Sequence, residues 1–339
     1  MKATTTFLLS IIMIASCLSS TSQVTISGNI INPVDDTVSF RTRNNTFYAE
    51  VNEKGDFNIT FSLDSATYIN FHHGSERTSM YLKGNEKIEL TINITEFDET
   101  IKYKGSDESS FLAEKYLENE AFSFYKKLST ENEETFLENL ENYKTSILIK
   151  LEAINNDDFI KIEQKKVEKT VASLSKRKKL IDKVPKPGQK AIDFTYADIN
   201  GDSVSLSDFK GKLVYVDVWA TWCRPCRAEL PALNLLEKDY HDKDIIFISV
   251  SVDKDKDAWI KMVKNKKLGG VQLWAGTGSR ISENYAIFGI PRFMLFNKEG
   301  NVITTDAPRP SFKSIIDENG ETITEDSNKT IREIIDLHL

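Results

Sequence analysis

The stretch Trp219-Ala220-Thr221-Trp222-Cys223-Arg224-Pro225-Cys226 constrains this chain more than any other. Two cysteines three apart fit the first turn of a helix, where they can close as a disulfide or open as a dithiol. An apolar run from Leu213 to Trp219 precedes them and reads as a buried strand, and Leu230, Leu233, Leu235 and Leu236 follow at helical spacing. A strand feeding a Cys-x-x-Cys helix start is the context of a redox pair. The helix N-terminus offers free amides and partial positive charge to a thiolate at Cys223. Cys226, one turn inside, is expected to be less exposed and less favoured as an anion, which makes Cys223 the attacking thiol and Cys226 the resolving one. Arg224 adds positive charge between the sulfurs. Pro225 suits the first helical turn, where a missing amide hydrogen is tolerated.

Two acids accompany the pair. Asp217 falls in the middle of the apolar strand, on the face shared by Tyr215 and Trp219. A lone buried acid is costly unless neutral or paired, and desolvation should raise its pKa. Asp217 is therefore a candidate proton acceptor for Cys226. Glu229 follows Cys226 by three residues on the same helix face and is a second candidate; the alternative for it is a dipole-favoured or ion-paired surface residue. Ile290-Pro291 opens a further strand, Arg292 to Phe296. Only about 5% of X-Pro bonds are cis, so spacing leaves that isomer open.

The N-terminus reads as a targeting segment. Lys2 precedes an apolar core, Phe7 to Ala15, shorter than the roughly 20 residues of a membrane-spanning helix. Ile14-Ala15-Ser16-Cys17 resembles a bacterial lipobox, in which Cys17 would be lipidated and residues 1–16 removed. The alternative is cleavage further on, for example after Ser22, which discards Cys17. Both readings export the mature chain, and the first anchors it to a membrane by lipid. The chain has 339 residues, three cysteines and a formal charge of −7, a balance that argues against nucleic acid as the main partner.

Four segments are expected. Residues 1–16 form the signal peptide. Residues 24–105 hold short alternating runs, Val24 to Gly28, Phe57 to Phe61 and Ile88 to Ile94, separated by turn signals, as in an antiparallel β-sandwich or barrel. His72 and His73 are adjacent and point to opposite faces of a strand, so they make a poor metal pair. Residues 107–183 lack proline and glycine and carry Phe111, Leu112, Tyr116, Leu117 and Phe122 at helical spacing, which reads as two or three helices. Their basic run, Lys176 to Lys179, reads as a solvated helix end. Val184-Pro185-Lys186-Pro187-Gly188 marks a boundary. In residues 188–339 strands and helices alternate, implying a central mixed sheet with helices on both faces.

The C-terminal segment resembles the thioredoxin superfamily, in particular the exported TlpA/ResA-like thiol-disulfide oxidoreductases. The resemblance rests on Trp222-Cys223-Arg224-Pro225-Cys226, Val216-Asp217-Val218-Trp219-Ala220, Glu229-Leu230-Pro231 and Gly289-Ile290-Pro291. It implies a Cys223–Cys226 redox disulfide, a cis-proline at Pro291, a buried acid at Asp217 and an assisting acid at Glu229. Trp222, Arg224, Pro225, Ile290 and Pro291 would form the surface that meets a substrate. It further implies protein thiols or disulfides as substrates, apocytochrome c among them, and a membrane electron donor of the DsbD/CcdA type. No cofactor or metal is expected, since the dithiol carries the electrons. The N-terminal half resembles more weakly the β-rich domain fused to such proteins in Gram-negative envelopes. A periplasmic thiol oxidant, a peroxidase and a binding module with an accessory redox domain are the competing expectations.

Overall fold

Alternation of apolar and polar side chains builds the first unit of the structure. The computed structural model describes residues 22–311, 313–316, 322–325 and 327–339, with no side-chain description for 312–330. The expected signal peptide and Cys17 lie outside the described residues. Contacts divide the chain into two compact units, Met1–Ser173 and Leu174–Leu339.

In the first unit the strands are β1 (Ser22–Ile31), β2 (Thr37–Arg41), β3 (Thr46–Glu50), β4 (Asp56–Leu63), β5 (Thr67–His73), β6 (Glu76–Leu82), β7 (Glu86–Asn93) and β8 (Lys102–Lys104). They form two four-stranded sheets, ordered β4-β1-β7-β8 and β3-β2-β5-β6. Phe57, Phe61 and Leu63 of one sheet meet Phe40, Ile69 and Phe71 of the other in a single core, each buried side chain contributing about 1.5–3 kcal/mol. Gly28 is required by that packing, because a Cβ there would fall 2.4 Å from the Phe57 ring. The expected all-antiparallel arrangement is corrected at one place: β1 and β7 run parallel. Between them the chain visits the second sheet, so no hairpin forces opposite directions. His73 is a structural pin. Its Nε2 accepts the Val34 amide at 3.0 Å and its Nδ1 lies 3.0 Å from the Thr37 carbonyl.

A short helix α1 (Phe97–Thr100) precedes α2 (Asp107–Phe122), α3 (Phe124–Thr130), α4 (Glu133–Glu152) and α5 (Asp157–Ile181). The 107–183 segment thus holds four helices rather than two or three. Ser123 adopts a left-handed conformation that separates α2 from α3, and the Asn132 side chain accepts the Thr135 amide to begin α4. Phe136, Leu140, Tyr143, Ile147 and Leu151 form the buried stripe of α4. The compact units divide inside α5, between Ser173 and Leu174, ahead of the Val184–Gly188 break. Nor is the basic run of α5 simply a solvated end. Lys178 is buried and bonds Asp182 at 2.6 Å, and the Arg177 guanidinium sits 4.8 Å from the Phe288 ring centre. An ion pair one turn along the helix offsets the cost of taking Lys178 out of water.

The second unit is built on β9 (Thr195–Asp198), β10 (Ser203–Ser205), β11 (Leu213–Trp219), β12 (Ile245–Ser251), β13 (Val271–Trp274), β14 (Arg292–Phe296) and β15 (Val302–Thr304), ordered β10-β9-β13-β12-β11-β14-β15. β11, β12 and β13 are parallel and β14 is antiparallel to β11. Its helices are α6 (Arg224–Asp239), α7 (Lys256–Lys266), α8 (Arg280–Asn284) and α9 (Ser327–His338). A separate antiparallel pair, β16 (Lys313–Ile316) with β17 (Thr322–Glu325), precedes α9. All seven residues of β11 are buried. Val214, Val216 and Val218 pack with Ile281 of α8 on one face, and Leu213 and Tyr215 with Leu233 and Leu236 of α6 and Ile331 and Ile335 of α9 on the other. This is the expected mixed sheet covered on both sides. β9, β10, β13 and α8 had no clear sequence signal, being only three to five residues long.

Glu163 of α5 is fully buried, and it bonds Lys115 at 2.7 Å, Lys166 at 2.7 Å and the Tyr68 hydroxyl at 2.5 Å. Burial alone would raise its pKa, but these donors hold it below the usual carboxylate range. Its stabilising effect is therefore present above the unfolded-state pKa and lost as pH falls through the lower folded value. Glu163→Gln is expected to destabilise the first unit by about 3 kcal/mol at pH 7, with the gap to wild type narrowing below about pH 4, as read from urea unfolding.

Candidate active site

The central strand β11 ends at Trp219, and the chain turns through Ala220-Thr221-Trp222 before Cys223 opens α6. The Cys223 amide donates to the Ala220 carbonyl at 3.1 Å, closing that turn. Cys223 is the N-cap of α6, with extended backbone (φ −78°, ψ 101°), and its Sγ accepts the Cys226 amide at 3.2 Å. A sulfur thus fills the place of the usual capping oxygen. Cys223 and Cys226 are joined as a disulfide, Cα to Cα 5.3 Å. Both are covered, 3% and 2% exposed. The exposure difference expected between them is absent, because Trp219, Ala220, Trp259 and Ile290 pack around both sulfurs. What distinguishes Cys223 is its place at the helix mouth.

The Ile290–Pro291 bond is cis, and the Ile290 carbonyl oxygen lies 3.7 Å from Cys223 Sγ. Trp222 is 67% exposed beside the pair, with Arg224 and Pro225 also at the surface. A groove of about 390 Å³ runs along Pro291, Arg292 and Phe293 against Asp306 to Arg309. The Arg292 guanidinium bonds Asp306 at 2.5 Å across it.

Asp217 sits beneath α6, paired in register with Ser249 of β12 and Phe293 of β14. It is 4% exposed, and its Oδ1 has no hydrogen-bond partner among the described residues. Burial pushes its pKa well above the carboxylate range, and the nearby Glu229 and Glu237 push it further. Glu229 is also buried but occupied: its Oε2 accepts the Ser311 amide at 3.0 Å and its Oε1 lies 3.6 Å from Arg309. The Tyr215 hydroxyl donates to the Pro308 carbonyl at 2.7 Å. Together these contacts fasten residues 308–311 to the second unit's core. Among the described residues no cluster of three or more His, Cys, Asp or Glu is arranged to hold a metal ion.

Residues 187–305 match the AhpC/TSA family. A thiol-disulfide oxidoreductase ResA of Bacillus thuringiensis is 34% identical over 116 residues, which are 34% of this chain and 66% of the relative. The C-terminal domain belongs to the thioredoxin superfamily, on its TlpA/ResA-like branch. The thioredoxin-like protein YneN of Bacillus subtilis is 52% identical over 56 residues, 16% of this chain and 33% of that protein. The solved structure of a thiol:disulfide interchange protein from Bacteroides sp. aligns at 27% identity with a TM-score of 0.37, covering 45% of this chain and 91% of that one. The chain thus spans 66% of the first of these relatives, and the family match lies within the second unit.

Within this thioredoxin-like domain the structure brings together Cys223, Cys226, Trp222, Ile290 and Pro291 at one edge of the sheet, and Asp217 lies on β11 two residues before Trp219, which packs with both cysteines. Two acids escaped the sequence reading. Glu237, in the last turn of α6, has a pKa pushed up to about 7 by burial, and it lies so close to the Gly269-Gly270 turn that a Cβ at Gly269 would fall 2.2 Å from its Oε2. Asp253, 1% exposed, bonds the turn that leads into Cys223. Its only sequence signal is a carboxylate two residues past a mostly apolar strand.

The Asp217 environment has a pH consequence. Unfolded, the group ionises near pH 4; folded, it stays protonated well above that. Its stabilising contribution is full below the unfolded value and lost as pH rises through the folded one. Asp217→Asn, which cannot ionise, is expected to gain about 1–3 kcal/mol over wild type at pH 8 and nothing at pH 4, as read from guanidinium unfolding at the two pH values.

Proposed function

We propose that this chain is a thiol-disulfide oxidoreductase that reduces or exchanges disulfides of exported proteins. The observation that carries this reading is the Cys223–Cys226 disulfide at the N-terminus of α6, facing the Ile290–Pro291 cis bond. In the dithiol state the Cys223 thiolate, favoured by the helix amides, attacks one sulfur of a substrate disulfide. A mixed disulfide forms as the substrate S–S bond breaks, and the other substrate sulfur leaves as a thiolate that takes a proton from water. Cys226 then loses its proton and attacks Cys223 Sγ, which releases the second substrate thiol and leaves the enzyme oxidised. Asp217, in its ionised fraction, takes the Cys226 proton at the oxygen that has no partner and passes it to the departing thiolate; Glu229, held by Ser311 and Arg309, anchors residues 309–311 instead. Two electrons and one proton return from a membrane donor of the DsbD/CcdA type, restoring the Cys223 thiolate and the Cys226 thiol. Apocytochrome c and other exported thiol proteins are the substrates, and a lipidated Cys17 holds the enzyme to a membrane facing the periplasm.

The AhpC/TSA match raises peroxide reduction as a second reading. It is disfavoured by Val216 and Ala220, both fully buried, at the positions where a peroxidase would carry a proline and a hydroxyl ahead of the nucleophile. An oxidising role is separated by potential, since related folds run from about −270 to −120 mV.

Cys226→Ser expressed in the envelope is expected to accumulate mixed disulfides with exported proteins, and Cys223→Ser none. Asp217→Asn in the intact pair is expected to prolong the mixed disulfide about 10²-fold at pH 7. A glutathione equilibrium near −120 mV, or peroxide consumption that survives Cys226→Ser, would overturn the reductase reading.

A further inference from the structure

One buried carboxylate grips the turn that aims Cys223. Asp253 lies two residues beyond the end of β12 and is 1% exposed. Its Oδ1 accepts the Thr221 hydroxyl at 2.7 Å, and its Oδ2 accepts the Thr221 amide at 2.9 Å and the Ser251 hydroxyl at 2.8 Å. The backbone around it is pinned as well: the Asp253 amide donates to Ser251 Oγ at 3.1 Å, the Trp274 indole to the Asp253 carbonyl at 2.9 Å, and the Val252 amide to the Trp219 carbonyl at 2.9 Å. Thr221 and Trp222 are the central residues of the turn closed by the Cys223 amide and the Ala220 carbonyl. Whatever fixes the Thr221 amide fixes the direction in which the chain enters α6.

We propose that Asp253 is a positioning residue that also sets the redox poise of the Cys223–Cys226 pair, holding it toward reducing power. The inference rests on the thiol-disulfide reading above. Reduction breaks the S–S bond, takes up two electrons from a donor thiol pair and one proton, and leaves Cys226 as thiol and Cys223 as thiolate. The product carries one more negative charge than the disulfide, located at the mouth of α6. The helix amides favour that charge. A carboxylate bonded into the adjoining turn opposes it and so disfavours the reduced state, whose stabilisation is what makes related proteins oxidants. Other charged side chains around this edge include Arg224 on α6, Lys256 of α7 over the Trp274 ring, Arg292 of β14 paired with Asp306, the buried Asp217 of β11, and Lys254 and Asp255, which follow Asp253 in the chain. None of them has a hydrogen bond to residues 220–223 among those described. Asp253 therefore combines two actions, a geometric one through Thr221 and an electrostatic one toward Cys223.

Asp253→Asn separates them, since the amide oxygen can still accept from Thr221 while the charge is gone. Two quantities are read in the full chain: the pH at which the Cys223 thiolate absorbs at 240 nm, and the equilibrium with reduced and oxidised glutathione. Asp253→Asn is expected to bring the thiolate to lower pH and to shift the equilibrium about 10-fold toward the dithiol, about 30 mV. Asp253→Ser, a smaller uncharged acceptor, is expected to move both in the same direction. Thr221→Val, which keeps the charge and loses one bond, is expected to slow exchange while leaving the equilibrium within about twofold. Either Asp253 variant matching wild type within twofold in both readouts overturns the proposal. A wild-type chain that exchanges no thiols at all overturns the functional reading instead.

Discussion

The hydrogen bond from the Cys226 amide to Cys223 Sγ is the interaction on which the second unit's chemistry depends. Every helix begins with amides that have no partner inside it. In α6 one of those amides is answered by a sulfur, so electron density on Cys223 is rewarded by the backbone itself. The rest of the domain exists, in physical terms, to keep that sulfur in place. β11 is buried from end to end and cannot slide without exposing both faces. The turn after it is tied to β12 through Asp253 and Val252, and the Ile290 carbonyl closes over the sulfur from the β14 side. Three strands of one sheet thus converge on a single atom.

Much of this was readable from the sequence because it is local. The Cys-x-x-Cys spacing, the apolar run before it and the leucines after it define β11, the turn and α6 within some thirty consecutive residues. The sandwich was readable for the same reason, since period-two alternation survives in β4 and β7. What escaped was long-range. Nothing near Glu229 announces that Ser311 and Arg309 will occupy its oxygens from 80 or so residues away. Lys178 lies in a basic run that looks solvated, yet the fold buries it and pairs it with Asp182. The parallel pairing of β1 with β7 depends on where the chain goes between them, which no window of residues contains.

The division of the chain inside α5 carries a related lesson. Proline and glycine at 185–188 break the helix pattern and so suggest a boundary. Packing places it earlier: the Arg177 guanidinium lies against Phe288 of the second unit, and Lys178 is buried and paired with Asp182. Helix propensity decides where an element ends; burial decides to which core it belongs. The two criteria need not coincide, and in α5 they differ by about three turns.

Buried carboxylates mark the contrast between the two units. Glu163 and Asp217 are both removed from water, and desolvation acts on each in the same direction. Glu163 meets two lysines and a tyrosine hydroxyl, which overcome the desolvation and leave an ionised, fully bonded anchor. Asp217 meets a serine register partner, a phenylalanine and two further acids, which reinforce it. One acid is spent on architecture, while the other keeps a free oxygen beneath the redox pair. A fold selected for stability alone gains nothing from an unpaired acid in the middle of its central strand, since an apolar residue of similar size would fit at lower cost. Such a site fits the role proposed for Asp217, beside a thiol that must lose its proton to react. The same logic separates Asp253 from Asp217: the first meets donors at both oxygens and ties down the turn, and the second keeps an oxygen with no donor among the described residues.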